Sequence, residues 1–312
     1  MKPYPIKLIP VSKSPIWGGT RLKTEWGVLS DAPTVGEAWM LTVREKEKNI
    51  VANGAWAGKT VDEVIGAVGA SAGDFPLLVK LIDAGDRLSV QVHPDDAYAA
   101  EVEHDRGKTE MWYILEAEEG AELICGLREG VTREDFAEAV RAGETENVLE
   151  HIPVHAGETY FIPAGLPHAI GKGILLAEIQ QNCDLTYRIW DYNRRGADGK
   201  PRELHVAKAL DVVRPFTAEE IDAIRYEADP TADRSRVLAA CSRFRAEKLC
   251  VSGSHALTPS EGLRHLLCVS GEGTLTAENG QTYSVSRGDS YLLPPKDAFA
   301  LAGELTVLLS RA

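Results

Sequence analysis

Two short segments carry side chains that could converge on one divalent cation. In the first, Gly85 to Pro94 (GDRLSVQVHP), the strand period of two puts Ser89, Gln91 and His93 on one face and Leu88, Val90 and Val92 on the other. Potential ligands two residues apart on a strand lie close enough to share an ion. In the second, Gly157 to His168 (GETYFIPAGLPH), a strand runs into a Pro-Ala-Gly turn, and the turn delivers His168. Between them lies Lys108-Thr-Glu110, where Glu110 opens another strand. Lewis-acid chemistry on an oxygen-rich substrate is what such a group of donors could do.

Positioning these residues falls to short apolar or alternating runs bounded by Gly and Pro. Strands are expected at 78–82, 88–92, 111–115, 121–125, 159–163 and 174–180. Regular short strands suggest a sandwich or barrel. Helices interrupt them. Asp95 to His104 follows a proline and is rich in alanine. Thr132 to Arg141 starts on a candidate N-cap, carries acids in its first turn and is followed by Gly143. Glu203 to Val213 and 217–225 have helical spacing. The helical insertions are thus expected at about 128–150 and 200–226.

A boundary is expected near 230, in the polar stretch EADPTADRSR. Residues 1–230 would form one unit and 231–312 a smaller all-β unit. In the latter, Gly271-Glu-Gly273 and Asn279-Gly280 read as hairpin signals.

The 312 residues carry a formal net charge of −13, which argues against the clustered basic face of a nucleic-acid binder. No apolar run approaches the roughly 20 residues of a membrane helix, and the proline-studded N-terminus does not read as a signal peptide. Five scattered cysteines without a C-x-x-C pair suggest reduced thiols in a cytoplasm.

The spacings resemble the cupin superfamily. Gly85, Gln91 and His93 occupy its first motif, with Gln in place of the first His; Gly157, Pro163, Gly165 and His168 match its second. The departures narrow the resemblance. Gln-x-His-Pro-Asp-Asp, Gly-Lys-Thr-Glu, Pro-Ala-Gly-x-x-His-Ala-Ile-Gly-Lys-Gly and Glu-Ile-Gln-Gln-Asn-x-Asp-x-Thr-Tyr-Arg are similar to the short bacterial form of the type I mannose-6-phosphate isomerases. The resemblance covers about residues 5–215, with Ile16-Trp-Gly-Gly19 and Gly36-Glu-Ala-Trp39 also fitting. It implies a cupin (jelly-roll) β-barrel with helical insertions. It also implies a second, degenerate cupin-like barrel at the C-terminus: Gly288 and Pro294 keep the second-motif spacing, but Phe299 stands where a His would be.

The resemblance further implies one Zn2+ per chain, held by Gln91, His93, Glu110 and His168, and a sugar phosphate as substrate. It implies a catalytic Arg188, a carboxylate at Glu178, and substrate contacts from Ser89 and Lys108. Two imidazoles and a carboxylate suit catalytic zinc, and Co, Mn or Ni could replace it. Aldose–ketose isomerisation moves a proton between neighbouring carbons through a cis-enediol, so it needs a base and stabilisation of oxyanion charge. Glu178 is the leading base on this reading and Asp184 the second. The competing readings are an iron-dependent cupin dioxygenase and a sugar-binding cupin without catalysis. The quaternary expectation is a monomer or weak homodimer.

Overall fold

The computed structural model describes residues 4–68, 77–196, 199–226, 228 and 235–312. The protein is mainly β, as expected, and its strands pair antiparallel throughout the named ladders. Among the described residues a seven-stranded sheet runs, edge to edge, through Arg225–Tyr226, Thr159–Ile162, Glu110–Ala117, Ile174–Gln181, Leu77–Asp83, Glu37–Leu41 and Val11–Lys13. A five-stranded sheet runs through Leu149–Pro153, Glu122–Leu127, His168–Ile170, Val90–Val92 and Tyr187–Trp190. The third sheet holds the long strands Arg245–Leu257, Phe299–Arg311 and Arg264–Ala277, then Ser290–Leu293. It continues into two N-terminal strands, Ile6–Ile9 and Ile50–Val51.

Alternation decides which side each strand shows. Val79 and Leu81 join Met111, Tyr113, Ala177 and Ile179 in one apolar cluster, together with Leu267, Leu292 and Leu308 of the third sheet. Ile82, Trp112, Ile114 and Leu176 point the other way. There they meet Leu123, Cys125 and Ile170 of the five-stranded sheet in a second cluster. The seven-stranded sheet is therefore covered on both faces, which is why Leu77–Asp83 and Ile174–Gln181 are buried along their whole length. The polar residues of these strands, Lys80, Glu110 and Glu178, lie on the face toward the five-stranded sheet.

The helices sit between strands. Asp96–Val102 begins where the Asp95 carboxylate accepts the Tyr98 N–H. Arg133–Ala142 has a reciprocal cap between Thr132 and Asp135 and ends at Gly143 in the left-handed region, φ 75°. It occupies the tip between the paired strands Glu122–Leu127 and Leu149–Pro153. Ala218–Ile224 starts on the capping box of Thr217 and Glu220.

Three expectations need adjustment. The strand expected at 88–92 is confined to Val90–Val92. The helix expected from Glu203 starts only at Val206. Residues 203–205 are drawn to the Arg188 strand instead: His205 N–H donates to the Arg188 carbonyl, and the Glu203 carbonyl accepts from the Arg188 guanidinium. Gly271-Glu-Gly273 is not a hairpin but lies inside the strand Arg264–Ala277. Gly271 has φ 74° beside a register shift, and a Cβ there would lie 2.0 Å from the Glu304 carbonyl, so the glycine serves a bulge. Asn279-Gly280 does turn the chain, between Arg264–Ala277 and Thr282–Ser286. The boundary expected near 230 lies outside the described residues. All five cysteines are free thiols.

Candidate metal centre

Facing strands of the two sheets bring His93, Glu110 and His168 together, with one ligand atom from each within 4.8 Å of the others. The His168 strand pairs directly with the Gln91 strand, His168 opposite Gln91. Glu110 comes from across the interior. Its placement follows from the ladder that sets Glu110 opposite Ile162 and Gln180. The Gly165 turn locks the arrangement, because the Gly165 N–H donates to the His93 carbonyl at 2.9 Å.

Both imidazoles are held in one tautomer. His93 Nδ1 lies 2.9 Å from the Leu185 carbonyl and His168 Nδ1 2.8 Å from the Leu166 carbonyl. A carbonyl only accepts, so each proton sits on Nδ1 and each Nε2 presents a lone pair. Those two nitrogens are 3.1 Å apart, and they stand 3.6 and 3.5 Å from the Glu110 oxygens. Acceptors cannot satisfy one another at such distances; a cation among them can. Burial holds both histidines neutral, His168 with a pKa lowered to about 4 and His93 well below its ordinary value, with Lys108 adding to the effect. Neutral imidazole is the form that binds metal.

Glu110 is fully buried and its Oε1 has no hydrogen-bond partner among the described residues. Burial, reinforced by Glu178, raises its pKa. Lys108 opposes that shift from 2.8 Å, and its Nζ also lies 3.1 Å from His93 Nε2. The acceptor cluster thus already attracts a positive group. An orphaned buried carboxylate oxygen beside two inward lone pairs fits a divalent ion. Gln91 lies at the edge, its side-chain amide 3.4 Å from His168 Nε2. Turned over, the amide would offer its carbonyl oxygen at the same place.

Glu178 faces the same interior, 3.8 Å from Lys108 and 3.4 Å from Lys80. Burial pushes its carboxyl up, but Lys80 and then Lys108 outweigh this and hold it below the usual range. Arg188 donates through Nε to Ser89 Oγ at 3.2 Å and through a terminal nitrogen, Nη1, to the Glu203 carbonyl at 2.7 Å. Asp191, three residues on from Arg188, is paired with Arg194 and Arg202 instead. Asp184 is half exposed and reaches the cluster only through Lys80, at 3.9 Å.

Lys80 is the residue that sequence reasoning missed. It is buried, sits between Glu178, Glu37 and Asp184, and lies 5.2 Å from the Trp39 ring. Burial alone would lower its pKa, yet the three carboxylates raise it, so it is a fixed cation. One signal was available: a lone lysine inside the apolar run Leu77–Asp83.

Residues 6–130 match the family model described as phosphomannose isomerase type I, catalytic domain. A mannose-6-phosphate isomerase of Streptococcus mutans is 36% identical over 306 residues, 95% of each chain. One of Bacillus subtilis is 36% identical over 300 residues, 94% of each chain. The crystal structure of a mannose 6-phosphate isomerase from Bacillus subtilis superposes with a TM-score of 0.89 at 34% identity, covering 99% of both chains.

Proposed function

The chain belongs to the type I phosphomannose isomerase family, and from that premise we infer that it interconverts D-mannose 6-phosphate and D-fructose 6-phosphate as a metal-dependent aldose–ketose isomerase. Neither the dioxygenase nor the non-catalytic alternative is favoured beside relatives matched over nearly their full length.

His93, Glu110 and His168 would hold the metal, with Gln91 as a fourth, weaker donor through its carbonyl. The observation that carries this reading is the pair of fixed Nε2 lone pairs, 3.1 Å apart beside a buried carboxylate. Two imidazoles and a carboxylate are a ligand set typical of catalytic zinc, one ion per chain. When bound, such an ion supplies Lewis-acid polarisation of the sugar's O1 and O2.

The remaining steps fall to side chains of the chain itself. Glu178 is the base in this reading. It takes the proton from the carbon next to the carbonyl and returns it to the neighbouring carbon. Lys80 and Lys108 keep it ionised, as acceptance of a proton requires. Arg188 remains charged at any working pH and can oppose the negative charge of the enediolate. Its tether to Ser89 and the Glu203 carbonyl fixes the direction of its remaining N–H groups. Ser89 and Lys108 offer a hydroxyl and a cation to the substrate. Asp184, half exposed, is the second choice for the base.

Residues 231–312 fit a degenerate, metal-free cupin-like barrel beside a catalytic barrel in 1–230. Support comes from the Gly288–Pro294 spacing with Phe299, a buried apolar residue, where a ligand would stand. A cytoplasmic monomer or weak homodimer is the matching cellular form. Among the described residues no helix is long and apolar enough to cross a membrane.

A coupled assay for fructose 6-phosphate formation tests the reading. Chelator treatment should abolish turnover and zinc should restore it. His168→Ala should lose both stoichiometric metal and turnover. Metal-loaded wild-type protein that binds the sugar phosphate without converting it would overturn the assignment.

A further inference from the structure

A row of arginines stands on the third sheet, outside the metal centre. Arg311 is the register partner of Arg245 on one side and of Arg264 on the other, so three guanidinium-bearing residues lie side by side on one face of adjacent strands. Like charges directly opposite one another are destabilising. Glu247, two residues from Arg245 and therefore on the same face, answers them in part, 2.5 Å from Arg245 Nε. Among the described residues, three arginines against one glutamate leave two positive charges uncompensated in the row.

The same face continues through Leu266 and Leu309 into an apolar cluster, so the arginines stand at its end. There Arg245, Glu247, Thr258, Ser260, Arg264 and Arg311 line a cavity of about 160 Å³. Arg264 is only 5% exposed. One of its nitrogens donates to the Thr258 carbonyl at 2.8 Å. Its buried Nε and second terminal nitrogen have no hydrogen-bond partner among the described residues. A buried guanidinium with unmet donors is expensive to keep. Burial, with Arg311 alongside, accordingly pulls its pKa down.

We propose that this cavity is an anion site that takes a phosphoryl group, held by Arg264, Arg311 and Arg245 and separate from the metal centre. The guanidinium fork matches phosphate oxygens two at a time. Two uncompensated charges match a phosphate dianion. Thr258 and Ser260 add hydroxyls, which suit a tetrahedral ion with four oxygens better than a planar carboxylate.

Equilibrium dialysis of the full chain against radiolabelled inorganic phosphate tests this. The metal centre can also bind phosphate, so the difference between variants carries the result. Arg264→Met and Arg311→Gln should each weaken one binding equivalent at least tenfold while isomerase kcat/KM stays within twofold. Arg311 is exposed, so its variant keeps the test intact if Arg264→Met does not fold. Glu247→Gln, which removes the competing carboxylate, should tighten binding several-fold. Methyl phosphate that competes at this equivalent identifies a phosphate monoester as the ligand, whereas competition by inorganic phosphate alone identifies the free ion. Wild-type stoichiometry and affinity in both arginine variants overturn the proposal.

Discussion

Lys80 does the most to explain how Glu178 stays ionised in a buried site. The two are register partners on adjacent strands, and the ammonium lies 3.4 Å from the carboxylate. Lys80→Met would leave Glu178 buried with Lys108, 3.8 Å away, as its nearer remaining cation. Its carboxyl would then move up toward what burial alone dictates, and more of it would be protonated near neutral pH. If Glu178 is the base, as proposed, holding it in the wrong protonation state should lower kcat by roughly 10²–10⁴-fold. The acid limb of the pH–rate profile should also move to higher pH. A variant with reduced kcat but an unshifted acid limb would show that Lys80 acts on substrate rather than through Glu178. At this scale the sequence was legible where spacing is local. Gln91, His93 and His168 belong to short motifs, and the structure places them side by side. Lys80 was not legible because its partners Glu178 and Asp184 lie about 100 residues away, and only strand pairing brings them close.

Strands and turns deliver the proposed ligands, and the Gly165 turn is the most exacting of them. Its φ of 85° is a conformation that a side chain rarely adopts, and a Cβ would lie 3.0 Å from the Val212 carbonyl. Its N–H holds the His93 carbonyl while its own carbonyl accepts from Arg214 N–H. Gly165→Ala should cost about 1–2 kcal/mol of stability from the left-handed backbone alone. Because the turn ties His93 to the segment that carries His168, metal affinity should fall as well, by roughly tenfold for each 1.4 kcal/mol lost at the site. Competition for zinc against a chromophoric chelator, read beside denaturant melts of the metal-free protein, separates the two effects. Unchanged zinc affinity in a destabilised variant would reduce the turn to a stability element. Turn chemistry of this kind was legible, as was the helix cap at Thr132, because both are written within a few residues. Gly271-Glu-Gly273 misled for the complementary reason. A glycine at positive φ suits a hairpin or a bulge equally, and only the partner strand at Glu304 and Leu305 decides between them.

Across the whole molecule, the seven-stranded sheet and the third sheet share one apolar cluster, and a polar bridge crosses it. His265 Nε2 lies 2.8 Å from Ser290 Oγ, whose hydroxyl donates to the Met40 carbonyl at 2.7 Å. The single hydroxyl proton is spent on Met40, so His265 must donate from Nε2. Its Nδ1 is then bare, and no described residue accepts or donates there. A second proton would have no acceptor, and burial lowers the His265 pKa to about 3. The unfolded chain protonates this histidine near its ordinary value of about 6.5. Below that value the unfolded state binds a proton that the folded state refuses, so stability is lost as pH falls from about 6.5 toward 3. By pH 4.5 the loss from this one group should be roughly 2–3 kcal/mol. His265→Gln keeps an N–H for Ser290 and cannot titrate. It should be less stable than wild type at pH 7.5 by about 1 kcal/mol for imperfect packing, and the gap should close or reverse by pH 5. The other buried histidines titrate equally in both proteins, so the difference between their urea unfolding curves isolates His265. Parallel pH dependence in the two proteins would mean that the bridge opens to water before the sheets separate, and that the two halves of the molecule are less tightly coupled than their shared core implies.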